Sequence, residues 1–586
     1  MKKRKLMFFL PLALLALTGC SGSENIEVKS EEKDFFNNTT EYKITANKLN
    51  TYYINDSKLE YVDLQEFIKT LDGFLDYNSY NFSKVPFDSI YTMYYNNDSY
   101  RFRLYFDYNL DTISLNNYNS LGNVVSTSDT NFMTGLKEDT SSLEANGGGE
   151  TTWNLSGLFD LHYRDGKLYI PFMLANTIFC SNNYYNIYYN GKTYNGYYTA
   201  FDPSSNQAID AFSLDDSEHR LANFNLITFV MNNLYGLKEY KKISDYSTIL
   251  HDYKNDMLST DFDTYSSAYK KFFMDYLDDP HTTYYITNKF EKITYGDYPF
   301  KDGNIKTQVT AGKELKKLKE DNEIKNSIDY YESTAIIHFD EFKTGTNDQV
   351  FDENKNVKDT AKDYDSYYFM LDAMNQIKAH GGIKNVMLDL TTSPGGNIAA
   401  MFRVLGFITN QDITITQFNK VGSLAVTEKM KVDTNLDGNF DDADAYIDYK
   451  WGVLTSNYTY SAANLFAGII KNQAICKIYG EKTGGGMCAV TPIVLGDAST
   501  VYISGTLAFV TKVSNNNYKY AIDNFLIEAY IRINEYVKAL EILQKQNFSY
   551  NNIDSKGSFY TSSNQLVYNE VNYRLALCIN LIKIQT

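Results

Sequence analysis

The sequence predicts an α/β fold, in which a layered core is preceded by a helical segment and a β-rich N-terminal domain. From residue 334 onward, apolar strand-like runs alternate with amphipathic helix-like segments, which is the pattern of an α/β layered core. We place this core at 331–530, with an acidic insertion near 425–448. Upstream, short alternating runs over 48–210 give way to helical periodicity over 216–290, which predicts the two preceding regions.

The N-terminus predicts a targeting segment. A basic start, Lys2 to Lys5, is followed by an apolar run over 6–16 and by Leu-Thr-Gly-Cys20, so residues 1–19 are predicted to be a signal peptide. Leu-Thr-Gly-Cys resembles the bacterial lipobox, in which the cysteine is lipidated and the preceding peptide is removed. The alternative is an ordinary signal peptide in which Cys20 stands by chance. Because no later run reaches the roughly 18 apolar residues of a spanning helix, we expect a lipid-anchored protein outside the bacterial cell membrane.

The regions between this segment and the core differ in their patterns. Residues 20–47 are polar and charged, which predicts a flexible tether. In the β-rich domain that follows, alternating runs such as 100–106 and 167–171 are separated by turns rich in Gly, Ser and Asn. The helical segment contains one apolar series over 221–230 and another over 265–277. The function of the β-rich domain does not follow from its sequence, and a positioning role is our default hypothesis.

Within the core, apolar runs predict strands and amphipathic segments predict helices. The predicted elements are, in order, a strand over 334–339, a helix over 363–378, a strand over 386–390, a helix over 397–408, a strand over 451–454, a helix over 462–470 and a strand over 475–479. A Gly-Gly turn joins the second strand to its helix, and Ser461 opens the helix after the third strand. Residues 531–586 predict a C-terminal helix and a tail.

These two strand-to-helix turns carry the candidate chemistry. At a helix N-terminus, free N–H groups and the positive dipole end stabilise a developing anion. Ser461 is predicted at such a terminus, while Gly395 and Gly396 let a second backbone segment approach and offer further N–H donors. A hydroxyl nucleophile facing such donors is the geometry of acyl transfer. The alternative is that Ser461 is only an N-cap, a position where serine is favoured for stability.

Four motifs in this order resemble those of the tail-specific, or C-terminal-processing, serine peptidases, a family that includes the tricorn core. They are Asp279-Pro-His-Thr282, Asp389-Leu-Thr-Thr-Ser-Pro-Gly-Gly396, Tyr460-Ser-Ala-Ala-Asn464 and Gly480-Glu-Lys-Thr-Gly-Gly-Gly486. The resemblance implies a crotonase/ClpP-like layered peptidase core, Ser461 as the nucleophile, and an oxyanion hole formed by the N–H group of Ala462 with that of Gly395 or Gly396. It implies no cofactor for catalysis. Many relatives carry a PDZ domain, and residues 285–333, where it would stand, are too few to form one.

The sequence leaves the general base open. Bacterial relatives use a lysine three residues after the threonine of the Gly-Glu-x-Thr turn, but that position here is Gly486. The tricorn-like branch uses an upstream histidine, and His281 fits that place, with an ordinary imidazole pKa of about 6.5 that suits a base near neutral pH. Glu481 is a candidate to orient the imidazole, and Lys482 is a candidate displaced base. The alternative is that His281 is a structural turn residue and that the chain no longer catalyses a reaction.

Composition bounds the possible partners. The chain has 586 residues and a formal net charge of −17, so we expect no nucleic-acid partner, because phosphate binding requires a basic face. Apart from Cys20, the cysteines at 180, 476, 488 and 578 lack C-x-x-C spacing and do not form a disulfide framework. Two interpretations of Cys476 and Cys488 stay open, a disulfide between them or buried free thiols.

An acidic run over 433–444 resembles a calcium-binding loop. Oxygen-bearing side chains occupy loop positions 1, 3, 5, 9 and 12, and Gly438 occupies position 6, where such loops turn sharply. The candidate ligands are Asp433, Asn435, Asp437, Asn439, Asp441 and Asp444. The last position is Asp instead of the bidentate Glu, which predicts weak binding of a structural calcium ion. The alternative is a solvated acidic turn.

Together, these patterns predict a surface-anchored serine endopeptidase that cleaves proteins or peptides through an acyl-enzyme on Ser461. The rival hypothesis is a non-catalytic lipoprotein that uses the same fold to bind a peptide or another ligand. The missing lysine at position 486 favours the rival, whereas Ser461, the paired glycines and His281 favour the enzyme.

Overall fold

The computed structural model describes residues 26–96, 101–117, 121–122, 124–125, 136–147, 149–198, 216–286, 291–292, 298–321, 324, 327–421, 424–514 and 517–520. Within these residues, helices are combined with four β-sheets. The mixed α/β class predicted from the sequence is confirmed.

The N-terminal region contains two sheets and two short helices. Its strands are β1 (Val28–Asn37), β2 (Lys48–Ile54), β3 (Tyr61–Asp63), β4 (Tyr80–Lys84), β5 (Ile90–Asn96), β6 (Arg101–Asp107), β7 (Thr112–Leu115), β8 (Leu136–Gly147), β9 (Thr151–Asn154), β10 (His162–Arg164), β11 (Lys167–Pro171), β12 (Tyr185–Tyr189) and β13 (Thr193–Tyr198). Its helices are α1 (Leu64–Thr70) and α2 (Phe172–Phe179). One sheet has the order β10-β11-β3-β2-β1-β13-β12, and the other has the order β4-β5-β6-β7-β9.

Strand β1 corrects the prediction of a flexible tether over 20–47. It lies inside the seven-stranded sheet, antiparallel to β2 and parallel to β13, so the tether is wrong for residues 28–37. Most side chains of β1 are exposed or half-buried, while its backbone pairs with β2 over residues 28–34 and with β13 over residues 34–37. Its polar composition therefore reflects an exposed sheet surface and not an unstructured chain.

The helical segment packs against the N-terminal sheets. Its helices are α3 (Ser217–Asn233), α4 (Tyr246–His251), α5 (Lys254–Met257) and α6 (Phe262–Lys270), and a π-helical turn, Lys271–Tyr276, continues the last of them. The Asp216 carboxylate caps α3 by accepting the N–H groups of Glu218 and His219, as expected of an N-cap aspartate. The buried faces of these helices join the N-terminal strands in one hydrophobic core.

The C-terminal half of the described chain alternates strands and helices. Its elements are β14 (Thr283–Ile286), β15 (Glu291–Lys292), α7 (Asn304–Asp321), β16 (Ile328–Tyr331), β17 (Thr334–His338), α8 (Asn347–Val350), α9 (Ala361–Tyr364), α10 (Ser366–His380), β18 (Asn385–Asp389), α11 (Ile398–Ile408), β19 (Ile413–Asn419), β20 (Leu424–Val432), β21 (Lys450–Thr455), α12 (Ala462–Asn472), β22 (Lys477–Gly480), β23 (Cys488–Val494), β24 (Thr500–Ser514) and β25 (Asn517–Tyr520). The strands and helices predicted around the two candidate turns are confirmed by β18, α11, β21 and α12.

A five-stranded sheet of order β16-β17-β18-β21-β22 positions both candidate turns. All its pairings are parallel except that of the edge strand β16, and β18 is buried along its whole length, as expected where helices cover a parallel sheet. Because β18 and β21 are parallel neighbours, with Asp389 beside Leu454, their carboxyl ends lie at the same edge. The Gly-Gly turn and the Ser461 turn both leave from this edge, where parallel sheets commonly bind ligands.

A second sheet brings the upstream motif to this edge. It has the order β15-β14-β24-β19-β20-β8, and β23 and β25 also pair with β24. Strand β14 follows the Asp-Pro-His-Thr motif directly and pairs with β24 through Thr283 and Tyr502. In the same sheet, β8 of the N-terminal region pairs with β20, which opens the acidic insertion predicted near 425–448.

Candidate active site

The two loops at the carboxyl ends of β18 and β21 are joined by hydrogen bonds. The Thr459 hydroxyl donates to the carbonyl of Leu390 at 2.7 Å, and the N–H group of Tyr460 donates to the carbonyl of Ser393 at 3.2 Å. Thr459 and Ser393 are completely buried. Because buried backbone groups must find partners, these bonds fix the position of one loop relative to the other.

Ser461 has a backbone conformation that is rare for any residue except glycine. Its φ is 52° and its ψ is −122°, the values of the first central residue of a type II′ turn, a position that favours glycine. Its side chain makes no capping hydrogen bond to helix α12. The alternative interpretation, a stabilising N-cap serine, is therefore not supported, since such a cap has an extended backbone and a bonded oxygen. A half-buried serine on a strained strand-to-helix turn is instead an arrangement that can present a nucleophile.

The predicted oxyanion-hole residues come together beside Ser461. Gly395 has a φ of +109°, and a Cβ atom added there would lie 2.8 Å from the Ala462 nitrogen and 2.8 Å from the Ser461 Cβ. The N–H group of Phe342 holds the carbonyl of Gly395 at 2.9 Å. Within the described part of the chain, the N–H groups of Gly395, Gly396 and Ala462 donate to no carbonyl. Of these three, Gly395 and Ala462 adjoin Ser461, and donors without a carbonyl partner beside the serine are what an oxyanion hole requires.

Position 486 leaves no room for the lysine that bacterial relatives carry there. Gly486 has a φ of +89°, and an added Cβ would lie 2.9 Å from the Ser461 nitrogen and 2.8 Å from the Tyr460 ring. Lys482, the candidate displaced base, has an exposed side chain and does not line the cleft that contains Ser461. The structure therefore does not place Lys482 in the Ser461 cleft, and its role as a displaced base stays a prediction.

His281 lies in the same cleft as Ser461. The cleft measures about 410 Å³, and both residues line it; the His281 ring packs edge-on against Tyr460, with centroids 4.7 Å apart. Nδ1 of His281 lies 3.2 Å from Oγ of Ser504, whereas the buried Nε2 has no hydrogen-bond partner among the described residues. Burial lowers the pKa of His281 below 6.5, partly offset by the negative charge of Asp279, so the imidazole is neutral at pH 7.

The partner of His281 differs from the predicted one. Ser504, on β24, is 1% exposed and holds Nδ1, while Glu481 lines a neighbouring cleft. In this structure the group that contacts Nδ1 is Ser504 and not Glu481, and an orienting role for Glu481 stays a prediction. No sequence motif marks Ser504, and the signal that reveals it is the long-range pairing of β14 with β24.

In the acidic loop, side-chain oxygens accept hydrogen bonds from the loop's own backbone N–H groups. Asp433 accepts the N–H groups of Asp437 and Gly438 at 3.2 and 2.8 Å, and Asp444 accepts that of Thr434 at 2.9 Å. Across the described ranges, no group of three or more His, Cys, Asp or Glu side chains is placed to hold a metal ion. Calcium binding at Asp433–Asp444 stays a prediction.

Other predictions concern cysteines and the membrane. Cys180, Cys476 and Cys488 are free thiols, so the possible disulfide between the last two is not formed. Cys20 and the predicted C-terminal helix lie outside the described residues. In the part of the chain that the structure describes, every helix is too short or too polar to cross a membrane.

Comparison with known proteins identifies the class of the core. Residues 333–522 match the model of Peptidase family S41, so the chain carries a domain of this family, and the predicted resemblance is confirmed. The match over this segment supports a serine-type peptidase domain. His281 lies upstream of the matched segment.

Individual relatives match this chain over a short segment or at low sequence identity. A protein of Staphylococcus haemolyticus named probable CtpA-like serine protease is 28% identical over 146 residues, which is 25% of this chain and 26% of that protein. This chain thus spans about a quarter of the length of that curated relative. A candidate peptidase from Parabacteroides merdae is 15% identical, with a TM-score of 0.38, over 62% of this chain and 96% of that one. A lipoprotein from Streptococcus agalactiae is 12% identical, with a TM-score of 0.32, over 56% and 96%.

Proposed function

We propose that this protein is a serine endopeptidase that cleaves proteins or peptides through an acyl-enzyme on Ser461. One observation carries the proposal. The strained, uncapped Ser461 shares a cleft with the His281 imidazole, whose Nε2 is buried and makes no hydrogen bond among the described residues. In the proposed roles, His281 is the general base and Ser504 positions it. Gly395 and Ala462 supply the oxyanion donors.

The mechanism takes the tautomer of His281 in which Nδ1 carries the proton and donates it to Ser504. The unpartnered Nε2 then accepts the proton of Ser461 as Oγ attacks the carbonyl carbon. The N–H groups of the Gly-Gly turn and of Ala462 stabilise the tetrahedral oxyanion. His281 then returns the proton to the leaving amine, and water hydrolyses the ester by the same steps. Among the described residues His281 Nε2 makes no hydrogen bond, so the proposed bond between His281 and Ser461 forms on substrate binding, as catalytic hydrogen bonds that are long in free enzymes often do.

Labelling with a fluorophosphonate probe tests the nucleophile directly. We expect the probe to modify the wild type once, at Ser461, as measured by intact mass and peptide mapping, and to leave Ser461→Ala unlabelled. His281→Ala should label far more slowly, while Lys482→Ala, a cationic change outside the cleft, should label like the wild type. A wild type that neither labels nor cleaves an unfolded protein substrate would leave the rival, a non-catalytic binding protein.

We also propose that the protein is held outside the bacterial cell membrane by a lipid on Cys20. The sequence supports this through the basic start, the short apolar run and Leu-Thr-Gly-Cys. A diacylglycerol-type anchor has two chains, which are enough for stable attachment where one is marginal. Cys20→Ser should release or misprocess the protein. Unchanged precursor cleavage and membrane fractionation in that variant would contradict the proposal.

A further inference from the structure

A buried pair of ionisable side chains lies at the base of the Gly-Gly turn. Asp389 and His338 end the parallel strands β18 and β17, and they are direct partners in the pairing of the two strands. The side chain of Asp389 is completely buried, and that of His338 is 5% exposed. Neither residue lines the Ser461 cleft. Because buried charges require partners, the contacts of this histidine indicate its protonation state.

His338 lies between two carboxylates. Its Nδ1 is 2.8 Å from Oδ2 of Asp389, and its Nε2 is 3.1 Å from Oδ2 of Asp329 on the edge strand β16. A neutral imidazole carries a proton on one ring nitrogen only, so the ring donates to both carboxylates only when it is protonated. Burial alone would lower the pKa of His338, but the bonds to Asp329 and Asp389 outweigh it and raise this pKa above 6.5.

A cation from helix α7 completes the surroundings of this pair. Nζ of Lys319 lies 3.4 Å from Oδ2 of Asp389 and 3.6 Å from Oδ1 of Asp340. In the described part of the chain, the charged groups that face His338 are Asp389 from β18, Asp329 from β16 and Lys319 from α7. The positive charge of Lys319 opposes protonation of the histidine, but its effect is smaller than that of the carboxylates.

The same cluster holds the start of the loop that carries the proposed oxyanion donor. Oδ1 of Asp389 accepts the N–H group and the hydroxyl of Thr391 at 2.9 and 2.6 Å, while the lysine of α7 contacts Oγ1 of Thr392 at 2.7 Å. The carbonyl of Thr391 in turn accepts the hydroxyl of Ser456 at 2.7 Å. The cluster is thus connected by hydrogen bonds to both loops of the candidate active site.

The segment that follows His338 reaches the Gly-Gly turn by a second route. The N–H group of Phe339 donates to the carbonyl of Asp389 at 2.9 Å, and the N–H group of Phe342 donates to the carbonyl of Gly395 at 2.9 Å. A displacement of His338 therefore acts on the turn at its start and at its glycine.

We propose that His338 is a positioning residue whose protonated imidazole holds the Gly-Gly turn in its oxyanion-binding position, so that activity falls at alkaline pH when this histidine releases its proton to solvent. This inference rests on the proposed function, because it takes the turn as an oxyanion donor. Neutral His338 donates to only one carboxylate, which leaves the other without that bond. Because the pKa of His338 is raised, the protonated ring stabilises the turn fully below about pH 6.5 and ceases to do so as pH rises through the higher pKa of the folded protein.

The rate of fluorophosphonate labelling at Ser461 tests this inference over about pH 5 to 9, a range that spans the ordinary and the raised pKa of a histidine. Fluoride leaves without a proton donor, so a histidine base alone predicts a rate that rises through the pKa of His281 and then stays constant. We expect the wild-type rate instead to pass through a maximum and to fall about tenfold or more on the alkaline side, the effect of losing one hydrogen bond to a charged group.

Two substitutions separate the proton from the contacts that it makes. His338→Gln takes up no proton, so it should label at a low rate that no longer falls on the alkaline side. In Asp329→Asn, the new amide can donate to Nε2 while Nδ1 donates to Asp389, so a neutral imidazole keeps both contacts. This variant should lose the alkaline fall and label faster than His338→Gln. His380→Gln, the same change at an exposed histidine of α10, should keep the wild-type profile.

Several outcomes would overturn the inference. They are a wild-type rate that stays constant up to about pH 9, an alkaline fall that persists in His338→Gln or Asp329→Asn, and the loss of that fall in His380→Gln. A protein that labels at a constant alkaline rate keeps the proposed function and loses this inference.

Urea unfolding decides the inference even if the wild type labels at no pH, which would contradict the proposed function. Between about pH 6 and 9, the wild type should lose more free energy of unfolding than Asp329→Asn, because the raised pKa of His338 depends on Asp329. An equal loss in the two proteins would refute the protonated bridge.

Discussion

The backbone strain at Ser461 makes a quantitative prediction about stability. A residue held in a sparsely populated region of φ and ψ costs of order 1–3 kcal/mol, and glycine adopts the observed 52° and −122° without that cost. Replacing alanine by glycine elsewhere loses roughly 0.5–1 kcal/mol of conformational entropy. Ser461→Gly should therefore have a free energy of unfolding about 0–2.5 kcal/mol higher than Ser461→Ala. Both variants lack the hydroxyl, so the comparison isolates the backbone.

Intrinsic fluorescence can follow this unfolding in the core itself. The chain has two tryptophans, and Trp451 lies on β21, 8% exposed, immediately upstream of the Ser461 loop. In a Trp153→Phe background, urea titration reports the unfolding of the region around Trp451. A difference of 1 kcal/mol would also shift the melting temperature by about 2–4 °C for a domain of 150–250 residues.

A matched control defines the ordinary effect of glycine. Ala379, an exposed residue of α10, has helical backbone angles, so Ala379→Gly should lose about 0.5–1 kcal/mol. If Ser461→Gly is less stable than Ser461→Ala by that same amount, the backbone at Ser461 is not strained and the argument is refuted.

Four further predictions concern the site and the acidic loop. His281→Ala should reduce peptidase activity to background. In the wild type, kcat/KM should fall as the pH drops through the pKa of His281, because protonated imidazole cannot accept a proton. Burial lowers this pKa below 6.5, so an acidic limb above pH 6.5 would contradict the role of His281 as a base. Ser504→Ala should lower kcat/KM about tenfold, the effect of losing one buried hydrogen bond. It should also move the acidic limb of the pH profile to lower pH, because the protonated His281 loses a hydrogen-bond acceptor. An unchanged pH profile would show that Ser504 has only a structural role. Gly395→Ala should lower the rate of fluorophosphonate labelling at least about 10²-fold, the usual effect of losing an oxyanion donor, since its Cβ would lie 2.8 Å from the neighbouring donor nitrogen; labelling at the wild-type rate would exclude this oxyanion hole. Calcium at about 10⁻⁴–10⁻³ M should raise the melting temperature of the wild type but not that of an Asp433→Ala, Asp437→Ala variant; identical melting of the two proteins would show that the loop is only a turn.

The sequence predicted best where burial dictates the pattern. Strand β18 is buried on both faces, so its run of apolar residues is broken only by Asp389, which accepts hydrogen bonds from Thr391. Gly395 and Gly396 were predictable because their turn requires positive φ. A continuous apolar run, a glycine turn and an amphipathic helix together admit few structures.

The sequence predicted least where long-range pairing decides. The charged residues of β1 predicted a tether, because the sequence of one strand does not show which other strands pair with it. Ser504 is a serine in the middle of a long strand, and its contact with His281 exists because β14 pairs with β24. Helix α7 was likewise not predicted, because its face toward the cleft is polar.

The geometry around Ser461 bears on where a proposed general base can lie. Gly486 is packed so closely against the Ser461 nitrogen that a side chain there would require the turn to move. The imidazole of His281 lines the same cleft as Ser461 and is held by Ser504 and by the Tyr460 ring. A lysine introduced at position 486 would therefore face both strain and an occupied space, so the histidine and the glycine form one consistent arrangement. The missing lysine alone favours a protein without catalysis, but the close packing at Gly486 is also what the proposed histidine base would lead us to expect.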